Sequence, residues 1–326
     1  MKRLFYCWLI VALGLTGAGR LLAETRQLNG GVRAFERHEF KEAADVFKSI
    51  LATNATDAEA KLYLGRIALE EERFDDGVRW LEQAAVADPT NAVIFLWLGR
   101  GYGLRARTAG PPGGAGPARR AKAAFEKAIA LDPNSIEARE GLVMFYREAP
   151  RVIGGGRKLA LAEAERIKNR DSYWGLLIYG DVLMDARRYA EAEAAYQQAA
   201  TEKPSNVEAW YRLGILFLEI RQYAKAFAAF DKIAGLKPDE QKVNFYLGKA
   251  GALSGERLTE AEKALKRYLQ TKPYYIMPQL WTAHFYLGKI YEQQQKFDQA
   301  RVEYETAVQL RPDYAEARAA LQRLRR

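Results

Sequence analysis

Residues 281–314 read WTAHFYLGKIYEQQQKFDQARVEYETAVQLRPDY, and the fold turns on how they are read. Leu287, Gly288 and Tyr291 recur at the three-to-four-residue spacing of one helix face, as do Ala300, Tyr304 and Ala307 further on. A polar break around Gln293 to Lys296 separates the two runs. Small residues let two antiparallel helices approach, and aromatic rings fill the wider gaps beside them. Pro312 lacks an N–H, cannot continue a helix interior, and ends the unit.

The same pattern recurs along the whole chain. Gly31, Gly65 and Gly99 are 34 residues apart, and so are Gly180, Gly214 and Gly248. A period of this length signals a helix-turn-helix array, in which one pair cannot bury its apolar face alone and stacking makes the core. The unit from Val207 carries Trp210, Leu213-Gly214, Phe217, Ala226, Phe230, Ile233 and Pro238; that from Tyr173 carries Gly180, Ala192, Tyr196, Ala199 and Pro204. The unit from Ala92 holds Phe95, Leu98-Gly99 and Tyr102 and resumes after ten extra residues at Ala121, Phe125, Ala128 and Pro133. The unit from Ile136 is degenerate, with Val143 at the glycine position and Gly154-Gly155-Gly156 in its turn.

With Leu-Gly at positions 7–8, an aromatic at 11, Ala at 20 and 27, an aromatic at 24 and Pro at 32, the pattern resembles the tetratricopeptide repeat. The resemblance implies an all-α, right-handed α-solenoid superhelix of about eight helix-turn-helix repeats. Their expected bounds are 24–57, 58–91, 92–135, 136–172, 173–206, 207–240, 241–280 and 281–313, with a capping helix at 314–326. A bulky residue at Gly214 is expected to overpack its helix pair.

The N-terminus has a different character. Lys2 and Arg3 precede an uncharged run from Leu4 to Gly19, followed by Arg20 and Ala23. This is the layout of an export signal over residues 1–23, and the run falls short of the roughly 20 residues of a spanning helix. The expected location is the periplasm of a bacterial envelope; the alternative is an inner-membrane anchor at 4–19. Cleavage would remove Cys7, the sole cysteine, and with it any disulfide, thiol catalysis or cysteine metal site.

Little else in the sequence suggests chemistry. The two histidines, His38 and His284, fall in different repeats, and neither has a histidine four residues away. Neither a Walker loop nor a nucleophile elbow is present. The glycine- and proline-rich stretch from Gly110 to Pro117 lacks the following Lys-Ser/Thr of a phosphate cradle and reads as an interhelical loop. No enzyme activity, metal or cofactor is expected.

Charge and aromatic residues point to a partner. The chain carries a net charge of +9. No acid lies between Pro89 and Phe125, where Arg105, Arg107, Arg119, Arg120 and Lys122 form a basic loop region. In the resembled family the first helix of each pair lines the concave groove. Reading its exposed positions gives Tyr63, Arg66, Trp97, Arg100, Tyr211, Arg212, Phe245, Lys249, Phe285 and Lys289 as partner-binding candidates. Tyr, Trp and Arg are common interface anchors. Inter-repeat packing is the competing reading for the aromatics. The lysine and asparagine with which some members hold a C-terminal carboxylate are missing at those positions. The expected function is an interaction scaffold for an extended or helical protein segment, acidic or aromatic in character. An anionic glycan or membrane surface is the alternative, and nucleic acid is not expected.

Overall fold

The computed structural model describes residues 26–271 and 277–324. The expected signal at 1–23 lies outside them. Among the described residues all regular structure is helical. Helix α1 (26–36) is followed by α2 (Phe40–Thr53), α3 (Ala58–Glu70), α4 (Phe74–Ala87), α5 (Ala92–Ala109), α6 (Ala115–Leu131) and α7 (Ile136–Glu148). A short 3-10 turn at Arg151–Ile153 precedes α8 (Arg157–Lys168). Then come α9 (Ser172–Asp185), α10 (Tyr189–Glu202), α11 (Val207–Glu219), α12 (Tyr223–Leu236), α13 (Gln241–Ser254), α14 (Leu258–Tyr268), α15 (Leu280–Gln293), α16 (Phe297–Leu310) and α17 (Ala315–Leu324). This is the all-α solenoid of helix pairs that the glycine period implies. The chain divides into two compact units between Gly156 and Arg157, inside the stretch that reads as a degenerate repeat.

The two helices of a pair start by different devices. Most first helices are capped by side chains: Asp57 accepts from the Ala60 N–H, Asn91 from Val93, Ser135 from Ala138, Asp171 from Trp174 and Asn206 from Glu208, whereas α15 starts without such a cap. Six of the second helices follow a left-handed residue instead. His38, Glu72, Arg187, Arg221, Arg257 and Gln295 all have φ between +51° and +60°. After five of them the next N–H reaches back five residues, as from Arg188 to the Leu183 carbonyl at 2.9 Å, which closes the preceding helix. These turns carry side chains where glycine would be unstrained. Arg187 is exposed, and Arg187→Gly is expected to raise stability by about 0.5–1 kcal/mol, the strain relieved less the added chain entropy. A urea midpoint that does not rise would contradict this.

Repeat glycines mark close ring approaches. A Cβ on Gly214 would lie 2.3 Å from Phe230 Cε1, which explains why a bulky residue there overpacks the pair. In the first unit the ring of Phe125 on α6 meets glycines of two helices, Gly99 of α5 and Gly141 of α7. Val143 does stand at the repeat's usual glycine position, but the close approach that requires a glycine is two residues earlier, at Gly141. The Gly154 to Gly156 turn is also a backbone requirement. Gly154 has φ +96°, and a Cβ on Gly155 would fall 1.7 Å from the Ala149 carbonyl oxygen.

Candidate functional site: the first-helix face

In the first unit, α1, α3 and α5 bring Phe35, Tyr63, Arg66, Trp97 and Arg100 together. Tyr63, Arg66, Trp97 and Arg100 sit near the middle of their helices, where the i, i+3 spacing puts ring and guanidinium on one stripe. The Arg66 Cζ lies 4.4 Å from the Phe35 ring centre, 4.4 Å from that of Trp97 and 4.7 Å from that of Tyr63. Arg100 Cζ lies 4.7 Å from the Trp97 ring centre. Tyr63 is held in turn by Phe47, stacked at 4.9 Å, and by Phe35, edge-on at 5.4 Å. The result is a cation–aromatic ladder of Phe35, Arg66, Trp97 and Arg100. Phe35 is absent from the sequence candidates, although it lies one helical turn after Gly31.

Burial weakens the Arg66 cation, with Tyr63 and Glu70 offsetting part of the effect, and its Nε is sealed with no hydrogen-bond partner. Burial also pushes Glu70 upward, against the pull of His38, Arg66 and Arg100. Among the described residues, neither Arg66 nor Arg100 is ion-paired with a carboxylate. A desolvated guanidinium among three rings, with only a distant carboxylate and no ion pair, is a costly arrangement for the free protein.

The second unit treats its candidates differently. Tyr211 and Phe245 are 3% and 5% exposed, so the expectation that they present rings to a partner is corrected: both are core side chains. Burial pushes the Tyr211 hydroxyl well up, and Phe245 packs against Tyr246 and Tyr268. Arg212 is engaged internally, its Nε 3.0 Å from Asp181 Oδ1 and its Nη1 3.0 Å from Glu208 Oε2. Phe285 is half-buried among Tyr286, Tyr304 and Tyr314. Lys249 lies 5.6 Å above the Tyr286 ring. Burial lowers the pKa of both Lys249 and Lys289, with Glu219 opposing it for the first and Glu292 for the second.

Folding also dilutes the basic loop region. Asp75 of α4 comes within 2.7 Å of Arg105, and Lys122 pairs with Glu126 at 3.3 Å. Arg120 lies over the Tyr102 ring at 5.7 Å. Arg107 and Arg119 are exposed. A stretch without acids in sequence thus gains them in space. His284 Nδ1 sits 2.6 Å from Glu303 Oε2, and the His38 ring lies edge-on to Phe40 at 5.6 Å. Among the described residues no group of three His, Cys, Asp or Glu side chains could hold a metal ion.

Comparisons with known proteins agree with this architecture. Tetratricopeptide repeat models match residues 34–95, 180–241 and 281–314. No curated protein is matched by the sequence. Among solved structures, pilF of Pseudomonas aeruginosa is 21% identical, with a TM-score of 0.51 over 71% of this chain and 97% of that one. A tetratricopeptide repeat protein from Parabacteroides merdae is 14% identical, with a TM-score of 0.54 over 82% and 99%. A thermophilic repeat protein of Thermus thermophilus is 19% identical, with a TM-score of 0.51 over 60% and 99%. These identities speak to fold alone. Helix pairs, ring-on-glycine packing and three family matches spread along the sequence lead to one conclusion: the chain belongs to the tetratricopeptide repeat family.

Proposed function

We propose that the chain is a protein–protein interaction scaffold that binds an extended partner segment on the first-helix face of its first unit. Tetratricopeptide repeats support the scaffold role in general. The observation that carries the finer reading is Arg66, laid between Phe35 and Trp97 with no carboxylate paired to it. Stacked aromatics would supply contact area, and Arg66 and Arg100 would supply orientation and charge-assisted hydrogen bonds. Lys249, Phe285 and Lys289 are further contact candidates in the second unit. The task is binding rather than catalysis. The layout of residues 1–23 supports export to the bacterial envelope, and intact mass of the exported chain tests it: a chain retaining those residues would favour the anchor.

The binding reading is tested by affinity capture from envelope extracts with the full chain. Reversing charge at Arg66 and Arg100 to glutamate is expected to remove specific partners from the captured set, with helicity unchanged by circular dichroism. An unchanged partner set would remove this face from the function.

A further inference from the structure

We propose that the ladder in the first unit selects a segment with two acidic side chains at alternate positions, Asp/Glu-x-Asp/Glu, bound in extended form across α3 and α5. The inference rests on the reading of this face as partner-binding and names the partner's chemistry. Both guanidinium groups address one ring: Arg66 Cζ is 4.4 Å and Arg100 Cζ 4.7 Å from the centre of Trp97. Their separation therefore cannot exceed the sum of those two distances. Alternate side chains of an extended chain lie about 6.6 Å apart on one side, within that limit. Successive residues point to opposite sides and cannot serve both cations.

The stacking also favours a planar anion. With the Phe35, Tyr63 and Trp97 rings within 4.7 Å of its Cζ and its Nε sealed, Arg66 has its terminal N–H groups to offer, and a guanidinium's paired N–H groups match the two oxygens of a carboxylate. Nothing within the described residues already fills this role. Glu70, half-buried on the same helix as Arg66, is a carboxylate whose charge reaches both arginines, yet it is ion-paired with neither. His38 also acts on Glu70. The internal charges are therefore two arginines against one shared acid, with His38 beside it, and an incoming pair of carboxylates would shift the balance toward neutrality. Arg212 in the second unit shows the contrasting arrangement, with two carboxylates already supplied by the protein.

The test is isothermal titration of the full chain with end-blocked peptides. One carries glutamates at alternate positions, a second carries them side by side, a third spaces them four apart, and a fourth has glutamine at the alternate positions. The alternate-glutamate peptide is expected to bind best, about tenfold or more tighter than the glutamine peptide, with affinity falling as salt rises. Arg66→Gln and Arg100→Gln are each expected to remove that advantage. Glu70→Gln, which deletes the internal competitor, is expected to tighten binding, so a single misfolded variant cannot decide the outcome. Equal binding of the glutamate and glutamine peptides overturns the acidic inference. Best binding by the four-apart peptide overturns the extended form. Tighter binding of an oligogalacturonate than of any peptide assigns the site to an anionic sugar and overturns the proposal. If the peptides fail but Arg66→Glu with Arg100→Glu still alters the captured partners, the scaffold reading stands without this one; if neither effect is seen, both fall.

Discussion

Replacing Phe125 by alanine is expected to lower the stability of the first unit by about 3–5 kcal/mol, the upper range for removing a core ring. The ring is 5% exposed. It is unusual in meeting glycine on two helices. A Cβ on Gly99 would lie 2.6 Å from its Cδ1, and one on Gly141 2.3 Å from its Cε1. Where the ring meets Gly99 and Gly141, the cavity left by the truncation would be walled by helix backbone with no side chain of its own to fill it, so relaxation there could recover little of the loss. Phe125→Leu, which keeps most of the volume, is expected to cost less than about 1.5 kcal/mol. Urea unfolding followed by circular dichroism measures both. An alanine cost below about 1 kcal/mol would show that the ring does not hold α5 and α7 to α6. Gly141→Ala offers a cross-check: disruptive beside Phe125, it is expected to become tolerated once the ring is gone, a coupling that a double-mutant cycle detects.

This pair also shows how far the sequence could be read. The recurring glycine and its aromatic partner were legible because the helix period forces small and large residues into register. Gly214 against Phe230 and Gly288 against Tyr304 are in contact as the spacing implies. Gly141 is not legible from the repeat, because the regular glycine position holds Val143 and the close approach to the Phe125 ring falls two residues earlier. The candidate face divides for a similar reason. Neighbouring positions of the repeat differ in what surrounds them. Position 5 gives Tyr211 and Phe245, which are core, as are Leu62 and Leu96 at the same position of the first unit, whereas Tyr63 and Trp97 one residue later are only partly buried. Arg66 and Arg100 kept their place on the face because the adjoining helices supply rings rather than acids. No local window of sequence contains that information: Asp181 lies 31 residues from Arg212, and Asp75 lies 30 residues from Arg105.

Replacing Asp181 by alanine is expected to destabilise the second unit by about 2–3 kcal/mol, because it breaks a largely enclosed ion pair from one side. Asp181 Oδ1 accepts from Arg212 Nε at 3.0 Å and from the Tyr196 hydroxyl at 2.7 Å. Burial alone would weaken the Arg212 cation; Asp181 and Glu208 outweigh that and hold it charged. Without Asp181 the guanidinium stays enclosed with Glu208 as its remaining ion-pair partner. The side chains of Arg212 and Asp181 keep 19% and 23% exposure, which admits some water and puts the cost below that of a fully sealed pair. Arg212→Met added to Asp181→Ala is expected to recover most of the loss, since removing both charges leaves neither one stranded. A single-variant change within about 0.5 kcal/mol in urea unfolding would mean the pair is ornamental. The same variants separate the two kinds of arginine. Arg212→Met is expected to change stability and leave the captured partners as they were, whereas Arg66→Glu with Arg100→Glu is expected to change the partners. Two arginines of one repeat pattern would then do different work because one has its carboxylates inside the protein and the other waits for them from outside.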